Sequence, residues 1–201
     1  MNGFLGNICV VGSSPSMIGK QHGKEIDSYE CVLRFNRATT EGREEDLGSK
    51  TTHYAFNSPT LRGKFLAVFE KPSEGVQEDF CTSVRGKHIL IHKHGVKPPQ
   101  ELCKHNEVHR IDFSEKAVEE MQRDIGVHYP LTEMARTGFS IAIYLCHKGL
   151  CPHIFGFGIN TPSMRKYYWG AGGPHTEESM MQESEILIHL HERKQLKLCT
   201  F

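Results

Sequence analysis

The chain has 201 residues, enough for one well-buried domain, and we expect a single domain that spans residues 1–201. Its 24 lysines and arginines balance 24 aspartates and glutamates, so no net positive field favours binding to a nucleic acid or to an anionic membrane. No apolar run approaches the roughly 20 residues that span a bilayer, and the first residues lack the features of a secretory signal. These observations predict either a cytoplasmic protein or a domain separated from its membrane anchor.

Seven cysteines are an odd number, and their spacing matches no disulfide framework. Most of them stand beside apolar residues, where a free thiol behaves as a small hydrophobic side chain. We therefore expect reduced cysteines in this chain.

The predicted elements alternate along the chain. Short apolar segments predict strands at residues 8–11, 31–35, 53–56, 88–92, 108–111, 153–157 and 196–199. Segments with helical character occupy residues 16–23, 114–124, 138–147 and 178–193. The alternation predicts an α/β fold in which helices cover the faces of the sheet. Two excursions rich in glycine and proline, residues 61–85 and 159–174, have the length that is typical of a lid, a binding loop or a disordered segment.

Small or polar residues follow three of the predicted strands at the point where each strand ends. These residues are the Gly12-Ser13-Ser14 turn, Asn36 and Asn57. Open α/β sheets bind their ligands in a crevice outside the carboxyl ends of the strands. We therefore predict a nucleotide-type site at this edge of the sheet. The turn itself matches neither a P-loop nor a dinucleotide fingerprint, since both need further glycines at fixed offsets.

The helix predicted at residues 138–147 is apolar on all sides, which indicates that it is buried. Thr137 stands at the N-cap position, where its hydroxyl would accept a hydrogen bond from the first turn. A buried helix start also presents unpaired N–H groups and the positive end of the helix dipole, which suit a carboxylate or a phosphate. The residues alone leave two interpretations open: an anion site at Thr137 and Gly138, or a capped core helix.

The segment before the last predicted helix contains candidate catalytic groups. His175 joins a glycine-rich loop to the helix, and an imidazole at such a place can act as a general base. Tyr167 and Tyr168 lie in the same loop, and tyrosine hydroxyls can hydrogen-bond an anionic leaving group. A structural or solvated histidine is the alternative. The helix itself is expected to turn four apolar residues towards the sheet: Met181, Ile186, Leu187 and Leu190.

Metal chemistry has weak support in the sequence. His88, His92 and His94 form a dense group, but their spacing matches no closed four-ligand zinc pattern. No Asp-x-Asp sequence occurs, so the usual carboxylate clamp for a metal bound to a diphosphate is missing. The charged run at residues 43–46 is interpreted as a solvated loop.

Four motifs occur in an order that is typical of one family. Residues 23–53 contain a Gly-Lys-Glu-Ile-Asp turn, a Val-Leu-Arg-x-Asn strand end and a Gly-Ser-Lys-Thr-Thr-His segment. Residues 136–158 follow, and then the Tyr167-Tyr168 pair and His175. In this order the four segments resemble the large, small, third and very small sialyl motifs of the animal-type sialyltransferases.

The bacterial sialyltransferases provide a second resemblance. It rests on a Gly-x-x-Pro-Ser turn at Gly12, an Asn-Ser-Pro sequence at Asn57 and a Gly-x-His before the last helix. Together the resemblances imply a single three-layer α/β/α domain with a Rossmann-like, mostly parallel sheet, the sialyltransferase variant of the GT-A type. They also imply an enzyme that transfers sialic acid from CMP-sialic acid to a glycan, with galactose-terminated glycans as candidates. A eukaryotic catalytic domain of this kind would lie in the Golgi lumen.

The resemblance implies a role for each candidate residue. His175 would take the proton of the acceptor hydroxyl, while Tyr167 and Tyr168 would hold the phosphate of the departing CMP. The sialic acid carboxylate would be bound at Thr137 and Gly138. The nucleotide and its phosphate would contact the residues at the strand ends: Gly12, Ser13, Ser14, Asn36 and Asn57. The reaction would invert the anomeric carbon and need neither a metal nor a cofactor, because CMP carries a single phosphate.

Three features depart from the family's pattern. Ser13 stands where the family usually has asparagine, and Glu183 stands three residues beyond the usual glutamate. Cys9 is offset by one position from the family's disulfide cysteine, and Cys146 and Cys151 compete for the other end. Two alternatives therefore stay open: a family member that binds a nucleotide or glycan without turnover, and a transferase for another CMP-activated acidic sugar.

Overall fold

A computed structural model describes residues 6–36, 38–56, 84–92, 103–127, 136–159 and 177–200. The strands in these ranges are β1 Ile8–Val11, β2 Cys31–Phe35, β3 His53–Phe56, β4 His88–His92, β5 Glu107–Ile111, β6 His153–Phe155 and β7 Lys197–Leu198. The α-helices are α1 Gly23–Asp27, α2 Glu44–Leu47, α3 Glu115–Ile125, α4 Thr137–His147 and α5 Glu177–Glu192. All the predicted strands are present, with small shifts at their ends. Within the described ranges, no helix combines the length and the apolar character needed to cross a membrane.

The described strands form one sheet with the order β5-β4-β3-β2-β1-β6-β7, and every pairing between them is parallel. The strand order reverses at β1, which lies between β2 and β6. In an open α/β sheet, the carboxyl ends of the strands at such a switch point line the ligand crevice. The predicted α/β class with a Rossmann-like parallel sheet is confirmed.

Each face of the sheet contributes to a separate core. Successive residues of a strand point to opposite faces. Val10, Leu33 and Leu90 belong to a cluster that includes side chains of α3, α4 and α5. Cys9 and Val32 belong to another cluster, which includes side chains of α1 and α2. The described elements therefore stack as helices, sheet and helices.

The prediction of a helix at residues 16–23 is wrong. A 3-10 turn stands at Pro15–Met17, and α1 follows it. Gly19 and Gln21 have positive φ angles of 78° and 57°, which an α-helix does not allow. Their backbone N–H groups donate to the Asp46 carboxylate at 2.8 and 2.9 Å. The partner lies 27 and 25 residues away, so no local sequence pattern reveals it.

The charged run at residues 43–46 is largely solvated, as predicted, but it is not a loop. Glu44–Leu47 forms α2, and Leu47 at its end is fully buried. The hydrogen bonds from Gly19 and Gln21 hold the pKa of Asp46 below its usual value. The short helix therefore ties the segment after β1 to the segment before β3.

Helix α5 buries a different face from the predicted one at its start. Met181 is 50% exposed, whereas Met180 is 6% exposed. The buried face continues through Glu183, whose burial an apolar pattern does not predict. The other residues predicted to face the sheet do pack against the core: Ile186, Leu187 and Leu190.

The described cysteines differ in burial, and we expect the buried thiols to react more slowly than the exposed ones. Burial raises the pKa of the Cys9 thiol and of the Cys146 thiol to about 12, while Cys103 and Cys151 are exposed free thiols. At pH 8, a thiol with that pKa carries roughly 10³-fold less thiolate than an ordinary cysteine. We expect an alkylating reagent to label Cys103 and Cys151 rapidly, and Cys9 and Cys146 only after unfolding. Peptide mass spectrometry measures the rates, and equal rates for Cys9 and Cys103 in the folded protein would contradict this.

Candidate functional site

The turn after β1 lies at the switch point and is bonded to the turn after β6. The Gly12 N–H donates to the Phe155 carbonyl at 2.7 Å, and the Ser14 N–H donates to the Gly156 carbonyl at 2.9 Å. Strand β6 ends at Phe155, earlier than predicted, because Gly156 takes a φ of 66° that strand residues do not adopt. The turn is therefore fixed at the carboxyl edge of the sheet.

Gly12 has no room for a side chain. A methyl group on its Cα would lie 2.2 Å from the Gly156 carbonyl oxygen and 2.7 Å from the Phe157 ring. The nearer obstacle is backbone, which cannot rotate away as a flexible side chain could. The close approach of the two turns therefore requires glycine at this position.

Gly12→Ala should lower the free energy of unfolding by about 3 kcal/mol, the upper end of the usual range for overpacked sites. The added methyl group would collide with the backbone of Gly156. Urea denaturation measures the resulting loss in the free energy of unfolding. Ser13→Ala on the same turn is the matched control, since it removes an atom and should cost less than about 1 kcal/mol. If Gly12→Ala and the wild type are equally stable, the two turns are not in close contact.

The two serines of the turn have different surroundings. The Ser14 Oγ accepts from the Ser16 N–H at 3.2 Å and lies 2.9 Å from the Ser16 Oγ. Ser14 therefore caps the 3-10 turn. Ser13 is half-buried at the same edge. Its contact with a donor stays a prediction.

Asn36 follows β2 directly and lies beside the end of β3. Its backbone N–H donates to the Ala55 carbonyl at 2.9 Å. Its φ of 51° is in the left-handed region, which asparagine tolerates better than most residues. Strand β3 ends at Phe56, so Asn57 is the next residue in the chain, and it lies outside the described residues.

Helix α4 begins at Thr137, so the prediction of Thr137 as N-cap is wrong by one residue. Arg136 occupies the N-cap position in an extended conformation, with φ −62° and ψ 141°, and its side chain makes no capping hydrogen bond. Thr137 and Gly138 are half-buried in the first turn. The Phe157 ring lies beside Gly138, 3.1 Å from the place of a Cβ, and it also lies beside Gly12. The helix start is therefore close to the turn after β1.

Glu183 of α5 caps the start of α4. Its Oε1 accepts from the Arg136 backbone N–H at 2.8 Å, and its Oε2 pairs with the Arg136 Nε. A carboxylate on the N-cap N–H is the contact that a capping box makes within one helix, and here it comes from another helix. Glu183 is 1% exposed, and this burial raises the pKa of its carboxyl although Arg136 opposes the change.

One nitrogen of the Arg136 guanidinium makes no hydrogen bond with the described residues. This nitrogen, Nη2, is shielded from water, while Nη1 lies 3.5 Å from the Phe157 carbonyl oxygen. A buried donor without a partner costs free energy, and an anion beside it would remove that cost. The start of α4 therefore combines the positive end of a helix dipole with a cationic donor that has no partner among the described residues.

Arg34 is a buried residue of the large motif whose role the sequence did not reveal. It is 1% exposed, and its Nε donates to the Thr51 Oγ1 at 2.9 Å. Its Nη2 donates to the carbonyls of Leu47 and Lys50 at 2.6 and 3.1 Å. These bonds hold the segment between α2 and β3 against β2. The sequence did contain one sign of this role, since Arg34 is a charged residue inside an apolar strand. A charged side chain that is buried needs hydrogen-bond partners.

The predicted catalytic residues and one donor-site residue lie outside the described residues: Tyr167, Tyr168, His175 and Asn57. Their places relative to the strand ends stay predictions. The described residues do bring together the turn at Gly12, the end of β2 before Asn36 and the start of α4 at Gly138.

Comparison with known proteins finds similarity to sialyltransferases. Residues 6–85 match the family model of Glycosyltransferase family 29 (sialyltransferase). The CMP-N-acetylneuraminate-beta-galactosamide-alpha-2,3-sialyltransferase 1 of Gallus gallus is 56% identical over 165 residues, which are 80% of this chain and 46% of that protein. The resemblance of this chain to the sialyltransferases is confirmed. The protein of the same name from Mus musculus is 27% identical over 164 residues, which are 80% of this chain and 47% of that protein.

A solved sialyltransferase has the same fold as this chain. The crystal structure of a mammalian sialyltransferase in complex with Gal-beta-1-3GalNAc-ortho-nitrophenol matches with a TM-score of 0.60 at 20% identity, over 96% of this chain and 69% of that chain. The fold inferred from the sialyl motifs is thereby confirmed. The chain spans about half the length of the curated relatives it matches, so its activity and substrates are matters of proposal.

Proposed function

We propose that this chain transfers sialic acid from CMP-sialic acid to a hydroxyl of a galactose-containing glycan, with inversion and without a metal ion. The names of the Gallus gallus and Mus musculus relatives support this donor, a β-galactosamide acceptor and an α-2,3 linkage. The observation that carries the proposal is the convergence of the Gly12 turn, the end of β2 and the start of α4 at one edge of the sheet.

The strand ends bind the nucleotide in this proposal. A phosphate or ribose can meet the turn at Gly12, which its hydrogen bond to Phe155 fixes at the carboxyl edge of the sheet. The backbone bond of Asn36 to the end of β3 brings it close to the start of the segment that contains Asn57, so both amides can serve one nucleotide. Ser13 and Ser14 contribute the remaining polar groups of the turn.

The start of α4 binds the sialic acid carboxylate. Thr137 and Gly138 provide a hydroxyl and backbone N–H groups in the first turn, where the helix dipole favours a negative charge. The unpaired Nη2 of Arg136 supports this assignment, because a carboxylate would supply the acceptor that it lacks among the described residues. The Glu183 carboxylate pairs with the Nε of the same guanidinium, and no hydrogen bond to Nη2 is formed among the described residues.

His175, Tyr167 and Tyr168 carry out the chemistry. The acceptor oxygen attacks the anomeric carbon while the bond from that carbon to the phosphate oxygen breaks, through an oxocarbenium-like state. His175 takes the hydroxyl proton as general base. CMP leaves with the bonding electron pair, and the two tyrosine hydroxyls donate hydrogen bonds to its phosphate. Attack on the face opposite to CMP inverts the anomeric configuration.

The single phosphate of the leaving group is the reason that no metal enters this reaction. Mg²⁺ in transferases and kinases is held by carboxylates together with substrate phosphates. The sequence has no Asp-x-Asp for that purpose, and one phosphate can be met by hydrogen bonds and a helix dipole.

A CMP-release assay with a panel of acceptors tests the proposal. Purified protein should release CMP from CMP-sialic acid when a β-galactoside is present, at the same rate with and without EDTA. The assay is run well below the unfolding temperature, so that an effect of EDTA on stability does not enter. Loss of CMP release on adding EDTA would overturn the metal-independent mechanism.

Two other outcomes of this assay would indicate a different function. CMP binding without release on any glycan would indicate a binding protein, and Ser13 supports this candidate because serine makes fewer hydrogen bonds than the asparagine usual in the family. Release from a different CMP-activated acidic sugar, but not from CMP-sialic acid, would keep the site and change the donor.

A further inference from the structure

A row of polar residues lies at the amino ends of β3, β4 and β5. His53, His88 and Glu107 are direct neighbours in the register of these strands. His109 is two residues beyond Glu107 on β5, so its side chain points to the same face of the sheet. The predicted donor residues follow the carboxyl ends of the parallel strands. The row is therefore at the opposite edge of the sheet from the proposed transfer site.

Three of these side chains point their ligand atoms at one another. The His88 Nδ1 lies 3.2 Å from the Glu107 Oε2, and the His109 Nε2 lies 3.2 Å from the Glu107 Oε1. All three ligand atoms lie within 4.8 Å of one another. In a tetrahedral zinc site with bonds of about 2.0–2.1 Å, neighbouring ligand atoms are about 3.3 Å apart. The two carboxylate–histidine distances, each to a different oxygen of Glu107, are close to this value.

Among the described residues, the two imidazole nitrogens lie at ion-pair distance from Glu107 but make no hydrogen bond of good geometry. His88 Nδ1 and His109 Nε2 are shielded from water and unpaired within the described residues, despite the approach of the Glu107 oxygens. Buried polar atoms in this state are uncommon and need an explanation. A cation between the three side chains would supply it, because it accepts the lone pair of each nitrogen.

Ring stacking holds the histidines in place. The His88 ring stacks on the His53 ring with centroids 4.5 Å apart, and on the His109 ring with centroids 6.0 Å apart. The His53 Nδ1 lies 2.7 Å from the Thr52 Oγ1, which fixes the ring that supports His88. Such outer contacts orient the ligands of metal sites.

We propose that His88, Glu107 and His109 bind one divalent transition-metal ion of the zinc type, with water completing the coordination. Two imidazoles and one carboxylate suit zinc, whereas Mg²⁺ and Ca²⁺ prefer oxygen ligands alone. The ion links β4 to β5, the edge strand of the described sheet, and thereby stabilises the folded chain. Linear spacing does not show this site, because its ligands meet only through the pairing of two strands.

Calorimetric titration of the metal-free full chain with Zn²⁺ tests the proposal. One ion should bind per chain at this site, and His88→Ala or His109→Ala should weaken its binding about 10–100-fold or more. The matched control is His147→Ala, because the His147 Nδ1 lies 3.0 Å from the Asp124 Oδ2 in a histidine–carboxylate pair without a second histidine. This control should keep the wild-type affinity.

Co²⁺ gives a readout that does not depend on a variant folding. The wild-type chain with Co²⁺ should show the intense visible absorption of a four-coordinate ion, and EDTA should remove it without slowing CMP release. EDTA should also lower the melting temperature of the zinc-loaded wild type, but not that of His88→Ala. If Zn²⁺ does not bind tightly, or if His88→Ala leaves the Zn²⁺ affinity unchanged, the proposal is overturned. The cluster would then be a Glu107 carboxylate that interacts with two histidines and holds no metal ion.

Discussion

Glu183→Ala is expected to lower the free energy of unfolding by about 3 kcal/mol, the lower end of the range for a broken buried ion pair. The Glu183 side chain is 1% exposed, and the Arg136 side chain keeps 20% exposure, which softens the loss. Without the carboxylate, both the Arg136 guanidinium and the backbone N–H before α4 lose a partner. Urea denaturation followed by circular dichroism measures the change.

Two variants of the same helix provide the controls. Glu185→Ala removes an exposed carboxylate from α5 and should change the stability by less than about 0.5 kcal/mol. Glu183→Gln retains an oxygen for the Arg136 N–H and should fall between the other two. If Glu183→Ala and Glu185→Ala are equally stable, the link between α5 and the start of α4 does not contribute.

The same carboxyl makes stability depend on pH. Burial raises the folded-state pKa of Glu183 above its ordinary value of 4.5, so the folded chain binds this proton more tightly than the unfolded chain. The associated stability is fully present below the ordinary value and is lost as the pH rises through the raised pKa. Glu183→Gln does not titrate, and it should remove this part of the pH dependence from unfolding curves.

His175→Ala is expected to reduce kcat for sialyl transfer by about 10²-fold or more, the scale of a lost general base. The acceptor hydroxyl would then lose its proton to water rather than to a placed imidazole. The fall of kcat at low pH, where the imidazole is protonated, should disappear in the variant. CMP affinity, measured by calorimetry, should stay close to that of the wild type because His175 acts on the acceptor.

His189→Ala is the control for this test, since His189 is an exposed histidine of α5. It should retain the wild-type kcat and the wild-type pH profile. A His175→Ala protein with the full rate would show that another group takes the acceptor proton.

The central strands of the sheet could be predicted from the sequence because apolar residues dominate them. Every residue of Cys31–Phe35 is buried, as is typical of a parallel strand covered on both faces. The helices were less predictable where a distant side chain decides the local structure. Asp46 binds the N–H groups of Gly19 and Gln21, and this contact prevents the helix predicted at residues 16–23.

The sequence predicted only those residues of the candidate site whose positions follow from the order of the strands. Gly12 and Asn36 follow strand ends, so the switch-point rule brings them to one edge. The pair of Arg136 and Glu183 is separated by 47 residues, and a glutamate in a helix ordinarily indicates an exposed face. The cluster around Glu107 likewise depends on strand register, which the linear order of histidines does not show.

The transfer product is the most direct test of the proposed function. The chain is incubated with CMP-sialic acid, a β-galactoside and EDTA, and the glycan is analysed by NMR. We predict one sialic acid residue on the acceptor for each CMP released, with the anomeric configuration opposite to that of the donor. A sialylated product that retains the donor configuration, or CMP release without any sialylated product, would contradict the central claim.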